Sequence, residues 1–254
     1  MPFLQIAQEA ARAAGRVLQD WSEKFTVSEK GPADLVTEAD VAAQRVIHHL
    51  IVEKFPDHGF LGEEGLSKPG TSGYRWVIDP LDGTSNYVHR FPYYAVSIGL
   101  ELNRELILGV IFDPNRDELF YATKGGGAFV NGKPIKPSRA SSVSQALLVA
   151  SFPPAASSDH HSVRRFLEIL PKAQAVQRTG SAAMNLAYLA AGRMDGFWSM
   201  SLKPWDMAAG ALILTEAGGK VTRTDGRPLD IEFPDILATN GTGLHAELQE
   251  LLNA

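Results

Sequence analysis

The chain has 254 residues, 44% of them hydrophobic, so one large domain or two intimate lobes can bury a substantial core without cross-links. It contains no cysteine, which excludes disulfides and cysteine-type zinc sites and removes any need for an oxidising compartment. A formal net charge of −5 provides no concentrated basic face for nucleic acid, and the expected partner is a small molecule.

Apolar residues at Phe3, Ile6, Ala7, Ala10, Ala13, Ala14, Val17, Leu18 and Trp21 recur at helical spacing and predict a long amphipathic helix. Glu9 and Arg12 interrupt that pattern, so the start lacks the uninterrupted apolar core of a signal peptide, and a cytoplasmic location is expected. In GPADLVTEAD, Thr37 is placed to cap a second helix whose buried side is Val41, Ile47, Leu50, Ile51 and Phe55, with Pro56 ending it. From there to about residue 130 the pattern is strand-like: GFLG, YRWVID, AVSIGLEL, ELILGVIFD, ELFYAT and GAFV, separated by NRE, DPNRD and NGK. These short connections predict antiparallel neighbours. The apolar run LILGVIF is far shorter than the roughly 20 residues that span a bilayer, so no membrane association is expected.

The sharpest change of composition is SFPPAASSDHH, residues 151–161, which places a lobe junction near it: an N-terminal lobe at 1–150 and a C-terminal lobe at 151–254, packed as one unit. Beyond it, helical segments such as SAAMNLAYLAA and PWDMAAGALILTEAG alternate with short strands such as DGFW, GKVT and DILATN. The order of elements points to an α+β fold of stacked helical and sheet layers.

The stretch WVIDPLDGTSNY carries the chemistry. Pro80 biases Asp79 towards extended geometry and is expected to stop the strand there, Gly83 permits a tight turn, and Thr84 or Ser85 can cap a helical turn beside the acids. Two carboxylates next to free amides suit a hard divalent cation and a phosphate, although the same spacing also suits a turn with capping aspartates. Of Glu63 and Glu64, only one can face those acids from a strand end, and both also fit a solvated loop. Asp206 begins a helix with an almost wholly apolar body, where the helix dipole alone would favour an acid. Asp34 and Asp40 flank LVTEA and read locally as turn and helix-start acids. KGGGAFVNG lacks the GK[ST] ending of a phosphate loop, so Asn131-Gly132 is read as a hairpin turn and Asp113 of DPNRDE as a turn residue. His48 and His49 read as surface or packed residues.

Taken together, DLVTEAD, GEEG, WVIDPLDGTSNYVHRFP, KGGGAFVNG, GSAAMNLAYLAAGRMDGFW and LKPWDMAAGALILTEAGG resemble the inositol monophosphatase family in order and approximate spacing, over nearly the whole chain. The resemblance implies a layered α-β-α-β-α sandwich of the sugar-phosphatase type. It implies that Glu63, Asp79, the Leu81 carbonyl, Asp82 and Asp206 bind two or three magnesium ions, with manganese as a substitute. It also implies hydrolysis of a small phosphorylated metabolite by metal-activated water, with Glu63 and Thr84 positioning that water and Asp40 polarising the Thr84 hydroxyl. Asp82, Gly83, Thr84, Gly180, Ser181 and Ala182 match the family's phosphate- and sugar-contacting segments. Ser199 departs from the pattern, because many members carry there a glutamate that receives hydrogen bonds from ring hydroxyls. Inositol phosphate is the leading substrate. Fructose bisphosphatase, histidinol phosphatase and phosphoadenosine phosphate nucleotidase are alternatives within the superfamily, and a non-catalytic interaction protein retaining the fold is another. A homodimer and sensitivity to lithium are further implications of the resemblance.

Overall fold

The structure, a computed structural model, describes residues 2–31, 34–153 and 156–254. Pro32 and Ala33 of GPADLVTEAD, Pro154 and Ala155 of SFPPAASSDHH, and the side chain of Asp34 lie outside the described residues.

Helix α1 (Pro2–Trp21) buries Ile6, Ala7, Ala10, Ala11, Ala14 and Leu18 along one stripe, and its small alanines let it lie close to α2 (Glu38–Lys54). Between them β1 (Val27–Gly31) and β2 (Asp34–Thr37) form a two-stranded antiparallel ribbon. Thr37 caps α2 as expected: its hydroxyl accepts the Ala39 N–H, and Asp40 Oδ2 accepts the Thr37 N–H at 2.8 Å. The buried stripe of α2 runs Ala39, Ala43, Ile47 and Ile51 at four-residue steps, leaving Val41 and Leu50 only half-buried.

The strand-rich middle folds into one sheet from β3 (Gly59–Gly62), β4 (Ser67–Lys68), β5 (Tyr74–Asp82), β6 (Ala95–Leu102), β7 (Glu105–Asp113), β8 (Glu118–Thr123), β9 (Ala128–Val130) and β10 (Lys133–Pro134). Its order is β10-β9-β8-β7-β6-β5-β3-β4, antiparallel throughout except where β3 runs parallel to β5. Two-residue turns close two hairpins with both central residues at positive φ, Asn103-Arg104 and the expected Asn131-Gly132. Asp113 serves the β7–β8 turn by accepting the Asn115 N–H at 2.8 Å.

A second sheet, ordered β12-β11-β13-β15-β14, combines β11 (Leu147–Ser151), β12 (Ala175–Gln177), β13 (Gly196–Ser199), β14 (Lys220–Thr222) and β15 (Ile236–Thr239). The change of sheet therefore falls between Pro134 and Leu147. The composition shift at 151–161 instead connects β11 to α4 (His161–Ile169), because β11 already pairs in parallel with β12 and β13.

Helices α5 (Ala182–Ala190) and α6 (Pro204–Ala217) lie between the two sheets and share one apolar cluster with both, while α4 and α7 (Leu244–Asn253) cover the outer face of the second sheet. With α1 and α2 on the outer face of the first sheet, the layers run helix, sheet, helix, sheet, helix. This α+β sandwich matches the expected architecture.

The close seat of α6 on the first sheet follows from small residues. A Cβ on Gly99 of β6 would approach Ala208 Cβ to 2.9 Å, and one on Gly109 of β7 would approach the Ala209 carbonyl oxygen to 2.4 Å.

Candidate active site

β5 does not stop at Asp79. It loses register between Asp79, opposite Ser97, and Asp82, opposite Ala95, and then pairs again, so Pro80, which lacks an N–H, occupies a bulge in a continuing strand. The bulge re-aims the carboxylates. Asp79, Asp82 and Asp206 each offer one oxygen, and these oxygens lie within 4.8 Å of one another.

Each acid is held from behind. Asp79 Oδ1 accepts the Leu81 N–H at 3.0 Å. Asp82 Oδ2 accepts the Ser181 hydroxyl at 2.6 Å and the Ala183 N–H at 2.5 Å, both from the start of α5. Asp206, third residue of α6, accepts the Lys203 N–H at 2.8 Å.

Burial pushes Asp79 and Asp206 well above the usual carboxylate range, and neighbouring negative charges add to it: Glu63, Asp82 and Asp206 act on Asp79, and Asp82 and Glu63 on Asp206. Asp82 is raised to about 6 by burial, against the hydrogen bonds from Ser181 and Ala183. Two carboxylate charges about 4 Å apart repel by about 4 kcal/mol at an effective dielectric of about 20. Such a cluster takes up protons or cations.

Glu63 follows β3 directly, its N–H donating to the Ile78 carbonyl at 3.2 Å. Its carboxylate lies outside the tight group of three and reaches them through its field. The Glu64 backbone is tied to α2, where the Gln44 side chain accepts its N–H and donates to its carbonyl.

Thr84 and Asp40 meet as the resemblance implies. The Thr84 hydroxyl lies 3.1 Å from both Asp40 Oδ1 and the Leu81 carbonyl oxygen, so its single proton is shared between them. Asp40 Oδ2 accepts the Thr37 hydroxyl at 2.6 Å, and burial raises this carboxyl to about 6, with Glu64 and Glu63 adding to the rise. Neither Thr84 nor Ser85 caps the short helix α3 (Thr84–Val88): that position belongs to Gly83 at φ 101°, which leaves the Thr84 hydroxyl free to face Asp40. The left-handed backbone there suits glycine, and a Cβ would sit 3.1 Å from the Tyr93 carbonyl oxygen.

Asp82 and Asp206 border a cavity of about 390 Å³. Gly180 and Ala182 line it, whereas Ser181 is buried beneath, capping α5 through the Met184 N–H and tethering Asp82. Ser199, at the end of β13, is fully buried with its Oγ 3.4 Å from the Ser201 N–H; Ser201 and Leu202 line the cavity in that neighbourhood. Two roomier clefts, about 630 and 590 Å³, share Glu101, Arg104 and Glu232 in their walls and contain none of these acids.

Several residues escape reasoning from spacing. Asn86 donates from Nδ2 to the carbonyls of Tyr93 (2.7 Å) and Thr179 (2.9 Å), and Asn185 Oδ1 accepts the hydroxyls of Tyr93 (2.9 Å) and Thr179 (2.6 Å). These bonds pin the Thr179-Gly180 loop to the turn after Asp82. Only the position of Asn86 within the motif hinted at a role, since its partner Thr179 is 93 residues away.

Comparison with known proteins settles the lineage. The family model described as "Inositol monophosphatase family" matches residues 1–254. The chain belongs to the inositol monophosphatase family. It is 42% identical over 256 residues to an inositol-1-monophosphatase of Synechocystis sp., covering 99% of this chain and 89% of that one. It is 40% identical over 249 residues to a protein of Pseudomonas aeruginosa named Nus factor SuhB, covering 94% and 92%. The crystal structure of the extragenic suppressor protein suhB from Bartonella henselae superposes with a TM-score of 0.94 at 37% identity, covering 99% of this chain and 98% of that one. Members named inositol monophosphatases are phosphoric monoester hydrolases, and this chain is an enzyme of that class.

The donor set fits a metal of the hard class. Asp79, Asp82 and Asp206 offer only oxygen, and the cluster contains neither histidine nor cysteine. Among the described residues no helix is long and apolar enough to cross a membrane.

Proposed function

We propose that this protein is a magnesium-dependent phosphatase that hydrolyses inositol monophosphate or a similar small polyol or sugar phosphate. The observation that carries the reading is the approach of the Asp79, Asp82 and Asp206 oxygens to within 4.8 Å at the edge of a cavity. Asp79, Asp82, Asp206, the Leu81 carbonyl and Glu63 would hold the cations. Bound there, magnesium supplies positive charge for the phosphoryl oxygens, an activated water and neutralisation of the leaving alkoxide.

The chain's own groups do the positioning. While Thr84 donates its proton towards Asp40 Oδ1, a lone pair of Thr84 Oγ1 remains to accept a hydrogen bond from a water in the cleft. Asp40, raised to about 6, can receive a proton through that hydroxyl near neutral pH, and Glu63 offers a second acceptor. Ser181 and the Ala183 N–H fix Asp82 through its Oδ2 atom. Gly180 and Ala182 line the wall where the alcohol portion of the substrate would rest.

The test is phosphate release from a panel of inositol, hexose, histidinol and nucleotide monoesters across a magnesium titration, with magnesium binding followed by calorimetry. Hydrolysis of at least one polyol or sugar phosphate, saturating with magnesium, is expected. A relative bearing the name Nus factor supplies a second reading, a role exercised through binding. Silence across the panel at saturating magnesium would favour it. The complete acid cluster favours hydrolysis, since a scaffold has no use for buried mutually repelling carboxylates.

A further inference from the structure

The cleft of about 630 Å³ opens between the two sheets. One wall is the β6–β7 hairpin and the other is β14 with residues 229–232, while the floor is the later part of α6, where Ala211, Leu212 and Thr215 follow Asp206 along the helix. The cleft takes Glu101 from the end of β6, whereas Asp82 pairs with Ala95 at the start of that strand, so it lies at the opposite end of the seam from the aspartates. Leu106, Leu212, Val221, Leu229 and Ile231 give it an apolar lining. A concavity of this size with an apolar lining and a few uncommitted polar groups is the usual form of a small-molecule site.

Most charges around the cleft are spent on one another. Arg75 donates from Nε to Glu101 Oε2 at 2.7 Å and from Nη2 to Glu232 Oε1 at 2.7 Å, and Lys124 pairs with Glu105. Two groups of opposite sign are left over. Arg104 has no acidic partner among the described residues, and Asp230, whose Oδ1 accepts the Glu232 N–H at 3.0 Å, has no cationic partner among them. Both line the cleft, yet they form no ion pair with each other. Arg104 also stands where a side chain is disfavoured: it is the second residue of the two-residue β6–β7 turn, at φ 70°, a left-handed position that suits glycine. The turn holds the root of that guanidinium arm at the rim of the cleft.

A ligand with a single charge would partner one of these two groups and desolvate the other without compensation. A ligand with both signs satisfies the two together, its carboxylate on the guanidinium fork of Arg104 and its ammonium on Asp230, while an apolar body covers Leu212 and Ile231. We infer that this cleft is a second ligand site, separate from the acid cavity, and that it binds a small amphipathic zwitterion, a free amino acid with an apolar side chain. Binding there requires neither the cations nor a phosphate ester.

Calorimetric titration of the full chain in magnesium buffer tests this. The ligands are leucine and phenylalanine, their deaminated counterparts 4-methylpentanoate and 3-phenylpropionate, their decarboxylated counterparts 3-methylbutylamine and 2-phenylethylamine, and serine, which keeps both charges but lacks the apolar body. At least one of the two apolar amino acids is expected to bind with a Kd of about 1 mM or tighter, and its single-charge counterparts and serine about tenfold or more weakly. Arg104→Gln and Asp230→Asn are each expected to weaken that amino acid about tenfold, whereas Asp82→Asn in the acid cavity leaves its affinity unchanged. Failure of both amino acids to bind at about 10 mM overturns the site. So do single-charge counterparts or serine binding as tightly as the amino acid, or affinity that survives both cleft variants. Affinity lost in Asp82→Asn and kept in Arg104→Gln would move the ligand to the acid cavity and equally overturn it. The ligand series on the wild-type chain reads the same chemistry without any substitution, so a variant that fails to fold leaves the outcome decided.

Discussion

Asp82 joins the first sheet to the middle helices in one side chain, taking hydrogen bonds from Ser181 and Ala183 while standing among buried acids. Asp82→Asn is expected to lower kcat by about 100-fold or more while circular dichroism stays native, since the amide cannot supply the anionic ligand. The metal-free protein gives the converse signal. With a folded-state pKa of about 6 against an unfolded value near 3.8, Asp82 binds more protons when folded across that window. Its contribution to stability is present at low pH and is lost as pH rises from about 4 to about 6. In chelator, thermal melts of wild type against Asp82→Asn should therefore show the variant gaining relative stability as pH rises; a widening deficit would contradict the repulsion argument. Thr84 separates chemistry from packing in a similar way. Thr84→Ala removes the hydroxyl shared between Asp40 and Leu81 and is expected to reduce kcat by about 100-fold, whereas Thr84→Ser retains most turnover. Equal losses in the two variants would deny the hydroxyl its role. Asp79, Asp82 and Asp206 could be nominated from sequence because their spacing allows a cation site and the motif resemblance implies one, whereas spacing alone also suited capping acids. The burial of Ser199 could not, because strand burial depends on what covers it from the far side of the sheet.

At the scale of elements, α6 delivers Asp206 from the interior. Its body, Met207 to Leu214, is buried, and that apolar run made both the helix and its burial legible in sequence. What fixes its height above the first sheet was not legible, since it depends on Gly99 and Gly109 facing Ala208 and Ala209 across the middle of the molecule. The continuation of β5 past Pro80 was hidden for a related reason: a bulge needs a partner strand, and Ala95 is the residue that restores the pairing. Gly109→Ala places a methyl 2.4 Å from the Ala209 carbonyl oxygen, backbone against backbone, and α6 has to move away. A destabilisation of about 2–3 kcal/mol is expected in urea melts. The magnesium concentration for half-maximal activity should rise with it, because Asp206 rides on the displaced helix. A destabilised protein with unchanged magnesium dependence would show that the sheet supports α6 without setting its position.

For the whole molecule, the five layers mean that no single layer owns the site. Asp79 and Asp82 come from the first sheet, Asp206 and the hydrogen bonds to Asp82 come from the middle helices, and Asn86 ties the Thr179 loop across the same seam. Any cation bound by all three aspartates therefore binds only the docked arrangement, and its binding free energy adds to the stability of that docking. At a hundred times its dissociation constant, a single such ion contributes about 2.7 kcal/mol, which for a domain of this size raises Tm by about 5–10 °C. The distribution of the effect is more telling than its size. Amide hydrogen exchange is expected to slow on adding magnesium at residues 78–84 and at the starts of α5 and α6, where the ligands and their supports sit. Helices α4 and α7, packed on the far face of the second sheet, are expected to change little. Protection confined to residues 78–84 would mean that Asp206 takes no part in holding the ion and that α6 docks on the first sheet independently of it.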